Sequence, residues 1–413
     1  MLMHKYKKKM FYISVLFLML LHGTRGYSNI ALITYLGFLC LVFYTLVSWH
    51  KLNYRIDYSV AIVPLLLILV MLYPAVIGVN QYGAKAGFTF LISNVFAFLF
   101  FYFFYRSKDG AQSIAQLFAV TGLLSGFMAV LLFINPLEFL GYQFGRENYF
   151  RLVGTFSTPN RFGESVAVAT LASFYLYMSA DRTKRVWIFS VFILLLFLTL
   201  ASGSKGVIFG LAAGLLVFLF FTRLSTKKYF FYSMFLGVPA LMVVVALFWN
   251  FIYTALKLDR ILSGRMDVGS GRPEIWDKGR EVFLEGNAVD LILGRGVTAF
   301  YQHIGADAHN AYWDILFNFG IFGLLLLAAI SMFVFIVVLY KPSVTNVFAF
   351  SLVVYCLVRG ISMPTVLNSF NFNMLAYWAG LVIILGSVRG FSYARYFGSN
   401  VCVQGSGETV GNN

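Results

Sequence analysis

Charge is scarce in this sequence: 11% of its 413 residues are Asp, Glu, Lys or Arg, whereas 60% are hydrophobic and the mean hydropathy is +0.81. Soluble domains carry about 25% charged residues, which excludes a water-soluble fold and equally a cleaved leader ahead of a soluble domain. Cysteine is nearly absent. Cys40 and Cys356 fall inside apolar runs and Cys402 in the C-terminal tail, leaving neither a disulfide framework nor the spacing of a metal site. The apolar runs also lack charge at their midpoints, with Glu164 and Asp314 each within the first turn of its run. Ion-coupled transporters usually keep ionisable residues there and interrupt the helices with Gly and Pro. No internal repeat is visible, and the short Gly/Ser strings lack the full spacing of a phosphate loop. A nucleotide site is therefore not expected.

What is present is a near-even series of long apolar runs. A helix needs about 20 apolar residues to cross a hydrocarbon core of about 30 Å. About twelve such runs occur, near 10–24, 28–48, 58–78, 86–105, 112–134, 162–180, 186–202, 205–222, 229–250, 312–340, 344–359 and 369–388. This predicts an all-α polytopic membrane protein of about twelve transmembrane helices, one membrane domain despite its length. Residues 1–250 hold helices one to nine, 251–311 a large loop, 312–390 helices ten to twelve and 391–413 a tail.

The formal net charge of +15 is not a nucleic-acid surface, because most lysines and arginines sit in short connectors, where they act as topology signals. Placing the N-terminus in the cytoplasm puts 17 basic and 4 acidic residues on that side and 14 basic and 12 acidic on the other, a split of +13 against +2. Both termini are then cytoplasmic. The two long loops, 135–161 and 251–311, are extracytoplasmic, and the active region is expected there, since loops longer than about 12–15 residues are usually functional.

The loop at 251–311 reads as a small folded unit. Pro273 suits a first helical position, Glu274 and Asp277 the first turn, and Gly286 the end. Ile275, Trp276, Gly279, Val282 and Phe283 share one face, so an amphipathic helix is predicted over 273–285. Arg272 stands at its N-terminus, where free N–H groups favour an anion such as phosphate. Asn310 or Asp307 can cap the tenth span, which puts His309 at the membrane lip as a candidate proton acceptor. Lys205 follows Ser202-Gly203-Ser204 in an outer turn, and Arg151 and Arg161 flank the stretch from Gly154 to Asn160. Arg25, Lys85 and Arg359 stand at other outer helix ends, against the inside-positive trend, so something should hold them there.

Each residue also has a plainer reading. Taken alone, a histidine such as His309 is more often an ordinary lip or capping residue and a lysine such as Lys205 more often an interfacial anchor, while Arg272 and Arg295 are equally partners of Glu274, Glu281 or Asp290. The 46 Phe and 25 Tyr are chiefly lipid-facing and interfacial material.

Taken in order, these elements resemble the superfamily of O-antigen ligases and bacterial polysaccharide polymerases. The most specific stretch is His309-Asn310-Ala311-Tyr312-Trp313-Asp314-Ile315-Leu316 followed by Gly320 and Gly323, similar to that family's His-Asn start and Gly-x-x-Gly. Gly271-Arg272 with Trp276, Gly294-Arg295-Gly296, and Gly154 to Asn160 resemble other parts of its outer loops. Ser204-Lys205-Gly206 occupies the place of its Ser-Arg motif, with lysine as a departure, a point charge in place of a bidentate fork. The resemblance implies transfer of a glycan from undecaprenyl diphosphate to an acceptor sugar hydroxyl on the outer face of the bacterial inner membrane. It implies His309 as base, with inversion, and Arg272, Arg295, Lys205, Arg161 and Arg151 as cations for the diphosphate. No cofactor is expected, and the outer loops hold no Asp-x-Asp pair, so no obligatory metal is expected either. The acceptor is a lipid-linked repeat unit for a polymerase or lipid A–core for a ligase. The compact loop and the aromatic helix after His309 favour polymerase. A flippase and a chain-length regulator are the protein partners implied, beside the lipid bilayer and without nucleic acid. A lipid-linked-glycan transporter or flippase is the alternative from another class, ahead of a nonenzymatic scaffold.

Overall fold

The structure, a computed structural model, describes residues 72–77, 84–105, 110–134, 137–139, 142–147, 151–154, 156, 158–223, 272–363 and 371–397. Within them lie α1 (Ala84–Tyr105), α2 (Gly110–Ile134), β1 (Leu137–Phe139), β2 (Tyr142–Glu147), β3 (Arg151–Gly154), α3 (Pro159–Ser179), α4 (Arg182–Ala201) and α5 (Lys205–Arg223). After these come α6 (Arg272–Leu284), α7 (Ala288–Leu293), α8 (Ala299–Ile304), α9 (Ala311–Tyr340), α10 (Val344–Gly360) and α11 (Phe372–Phe397).

The predicted runs at 86–105, 112–134, 162–180, 186–202, 205–222, 312–340, 344–359 and 369–388 correspond to α1 to α5 and α9 to α11. Among the described residues, four helices are long and apolar enough to cross a membrane: α2, α4, α5 over Lys205–Thr222, and α9. Shorter apolar helical stretches cover Thr89–Tyr102, Val344–Gly360 and Phe372–Val388. The chain is thus a predominantly α-helical membrane protein. The runs at 10–24, 28–48 and 229–250, and most of 58–78, lie outside the described residues.

Local sequence explains the helix starts. Thr158 caps α3 by accepting from the backbone N–H of Arg161, with Pro159 in the first turn. Ser343 caps α10 through the Asn346 N–H at 3.2 Å. Between α4 and α5, Ser202, Gly203 and Ser204 make the whole turn, and Gly203 supplies a left-handed φ of 61°.

One segment departs from the all-α expectation. Residues 137–154 form a three-stranded antiparallel sheet in the order β1-β2-β3, with a register shift at Gly145/Arg146. Strands of 3, 6 and 4 residues are too short for an alternating pattern to stand out from a loop, and their pairing is a tertiary fact.

α3 is enclosed by the other described helices, with every residue from Phe162 to Ser173 buried. Its neighbours approach through small side chains, which is how membrane helices gain close packing when lipid offers no hydrophobic contrast. Gly122 of α2 meets Ala169 of α3, and Gly380 of α11 faces the Ala349 carbonyl of α10. Tyr175 stacks on Phe348 at 4.5 Å, joining α3 to α10. The Trp378 indole N–H donates to the Asn94 side-chain oxygen at 3.0 Å, joining α11 to α1.

Candidate active site

Helix α9 organises one end of the molecule. Asn310 caps it, its side-chain oxygen accepting from Tyr312 N–H at 2.9 Å and Trp313 N–H at 3.2 Å. Of the two expected caps, Asn310 takes the role. His309, one residue earlier, has a φ of 48°, and among the described residues Thr298 is the other non-glycine with positive φ. A left-handed residue bearing a side chain is uncommon and concentrates at functional positions.

Further along, α9 breaks its helical geometry at Gly320, with φ 63° and ψ −165°. A break leaves backbone groups that need partners, and the preceding loop supplies them. The Arg295 N–H donates to the Phe317 carbonyl at 2.7 Å and the Gly296 N–H to the Asn318 carbonyl at 3.3 Å. A side chain at Gly320 would collide with the Ile292 carbonyl. The segment Leu293-Gly294-Arg295-Gly296 is therefore clamped by backbone onto the kink.

α6 covers this assembly. It runs Arg272–Leu284 against the predicted 273–285. Gly279 and Phe283 are buried and Ile275, Trp276 and Val282 partly so, while Glu274, Asp277, Lys278, Arg280 and Glu281 are exposed. Phe283, Phe300 and Phe317 form the small core beneath, Phe300 and Phe317 meeting edge to face at 4.8 Å. The Trp276 indole N–H donates to the Ala308 carbonyl at 2.8 Å, immediately before His309. Arg272 opens α6, one turn before Trp276 in the chain.

Three further helix ends gather at the same place. The Tyr312 hydroxyl donates to the Leu357 carbonyl at 2.7 Å, tying the start of α9 to the end of α10. There Arg359 donates through Nη2 to Glu164 Oε1 of α3 at 3.0 Å and through Nη1 to Ser362 Oγ at 2.6 Å. Gly206, next to Lys205, lies against Ser362 and Arg359, and Gly163 of α3 against Ser202. The starts of α3, α5 and α9 and the end of α10 thus converge around Arg359.

The structure brings Arg161, Lys205 and His309 to this one end of the bundle, on helix termini that share contacts. Arg295 is held differently: Nη2 donates to the Val282 carbonyl at 2.9 Å and Nε lies 3.4 Å from Asp290, so the guanidinium fastens α6 to α7. Asp290 is one of the partners expected for it. Arg151 opens β3 opposite Glu147. Beside Arg295, burial and that positive charge hold the His303 imidazole below its ordinary 6.5. Among the described residues no group of three His, Cys, Asp or Glu could hold a metal ion. The Gly320 kink and the Glu164 partner of Arg359 are absent from the sequence reading. The only sequence signals are a glycine inside an apolar run and an arginine on the wrong side of the charge asymmetry.

This is a helical membrane protein with a cationic, histidine-bearing cluster of helix ends under a folded loop. Residues 189–328, about a third of the chain, match the family described as O-antigen ligase. The match supports the superfamily of O-antigen ligases and polysaccharide polymerases that the motifs resemble, and with it a membrane enzyme of that general type. No match to the chain is found among curated proteins.

Proposed function

We propose that the protein polymerises polysaccharide repeat units, transferring a glycan from an undecaprenyl-diphosphate carrier to the hydroxyl of a lipid-linked acceptor on the outer face of the inner membrane. The observation that carries glycan transfer is the span of the family match, which runs across Lys205, Arg272, Arg295 and His309; the choice of polymerase over ligase rests on the compact outer loop and the aromatic helix after His309. In support, the helix ends bearing Lys205, Arg161 and His309 meet around Arg359.

In this reading the acceptor oxygen attacks the anomeric carbon from the side opposite the diphosphate. The new C–O bond forms as the bond to the diphosphate oxygen breaks, so the configuration inverts. The acceptor proton passes to the His309 imidazole. The diphosphate leaves as an anion and needs prepositioned cations in place of a proton donor. Lys205, Arg161 and Arg272, at or beside helix N-termini whose dipoles also favour anions, supply that charge, joined in this reading by Arg151 of the other outer loop. Arg295 adds positive potential while holding the loop together. No cofactor or metal takes part.

The test is transfer in proteoliposomes supplied with lipid-linked repeat units. His309→Ala should lower transfer by about 10²–10⁴-fold, the usual contribution of a general base, while the protein inserts and accumulates normally. Near-normal chain growth would return His309 to a structural role. Transfer to lipid A–core alone, without chain growth, would make the protein a ligase.

A further inference from the structure

The loop helices carry apolar side chains that nothing in the described fold covers. In α7, Val289 and Ile292 are 50% and 54% exposed and lie three residues apart on one side. Leu284, at the end of α6, is exposed just ahead of them.

The depth of α7 can be read from α9, because the two are joined by backbone contacts. Arg295 and Gly296, directly after α7, bind the carbonyls of Phe317 and Asn318, and the Ile292 carbonyl rests against Gly320. α7 cannot lift away without breaking these. α9 itself changes character at this level. Its first ten residues, 311–320, include Asp314 and Asn318 and hold no large exposed hydrophobic side chain. From Ile321 to Tyr340 no charged residue occurs, and Ile321, Phe322 and Leu325 open a stripe of exposed apolar side chains. That stretch rises about 30 Å at 1.5 Å per residue, the thickness of a hydrocarbon core. The hydrocarbon boundary therefore falls at Ile321, one residue beyond the place where α7 is clamped.

We infer that α7 lies in the membrane interface, with Val289 and Ile292 seated in the leaflet on the loop's side and continuous with the lipid-facing stripe that begins at Ile321. The opposite side of α7 carries Asp290, whose carboxylate faces Arg295, as an interfacial helix requires an apolar and a polar face. The loop is thus a wedge resting on the bilayer, and it sets Arg295 at headgroup depth. The inference rests on reading α9 as a membrane span and is independent of the transfer reaction.

Spin-label accessibility tests it. The full-length chain, with its three cysteines replaced by alanine, takes single nitroxides at positions 289, 292, 325 and 278. It is reconstituted in vesicles of phosphatidylethanolamine and phosphatidylglycerol. Labels at 289 and 292 should collide more with oxygen than with a water-soluble nickel chelate, as 325 does but at shallower depth, while 278 on the exposed side of α6 shows the reverse. A label at Leu284 gives the same reading should 289 or 292 disturb the fold. Collision with nickel as at 278 would overturn the inference. So would shielding from both reagents, with dipolar broadening between labels if a second copy covers the face and none if another segment of this chain does.

Discussion

The guanidinium of Arg359 and the carboxylate of Glu164 lie 3.0 Å apart, with both side chains 2% exposed and their positions 195 apart in the chain. They join α10 to α3 at the level where Lys205 begins α5. An arginine against the inside-positive trend is thereby explained: it is held by a buried acid, with Ser362 on its second nitrogen.

Removing one partner of a buried pair strands the other charge, at about 3–5 kcal/mol. Arg359→Ala should lower the thermal unfolding midpoint in detergent, and Glu164→Leu combined with Arg359→Met should recover most of the loss. If the single variant melts with the wild type, the pair contributes no coupling.

Gly320 has a φ of 63° with the Ile292 carbonyl against it. Gly320→Ala should cost at least about 1–3 kcal/mol from the strained backbone alone, and the collision adds to it. The measurable consequence is release of the α7 clamp, seen as faster proteolysis between α6 and α8 with the membrane helices intact. Unchanged cleavage would mean that the kink and the loop are not coupled.

At position 205, positive charge beside the leaving group is what the proposed chemistry needs. Transfer in proteoliposomes should fall in the order lysine, arginine, alanine, glutamate, with arginine close to lysine and glutamate worst because it sets like charge against the diphosphate. Full activity from both alanine and glutamate would make Lys205 an interfacial anchor.

His303 titrates below its ordinary 6.5, first because of burial and then because of Arg295. The folded loop therefore binds this proton less readily than the unfolded chain, so its contribution is intact above 6.5 and is lost as the pH falls through that value to the lower folded one. Loop protection from hydrogen exchange should decline between pH 7.5 and 5.5 in the wild type and decline less in His303→Gln. Equal decline would assign the acid sensitivity to another group.

The amphipathic face of α6 was legible because helical periodicity and end signals act within one turn, and the same local rules mark the starts of α3 and α9. The sheet at 137–154 was not, since its strands are short and hydrogen bonding between them is long-range. Arg295 shows the limit at a single residue. Its place in Gly294-Arg295-Gly296 is compatible with anion binding, yet the Val282 carbonyl and Asp290 that hold it become its neighbours only once α6 turns back over α7.

By itself the sequence determined the medium, the long apolar helices and the identity of the polar residues, because hydropathy and periodicity are properties of contiguous chain. Only the tertiary structure decided that Arg359 is neutralised by Glu164, that the starts of α3, α5 and α9 meet the end of α10, and that a helix break at Gly320 receives the loop. Those outcomes depend on which buried charges and unpaired backbone groups find each other across distant segments, and one-dimensional spacing does not contain that information.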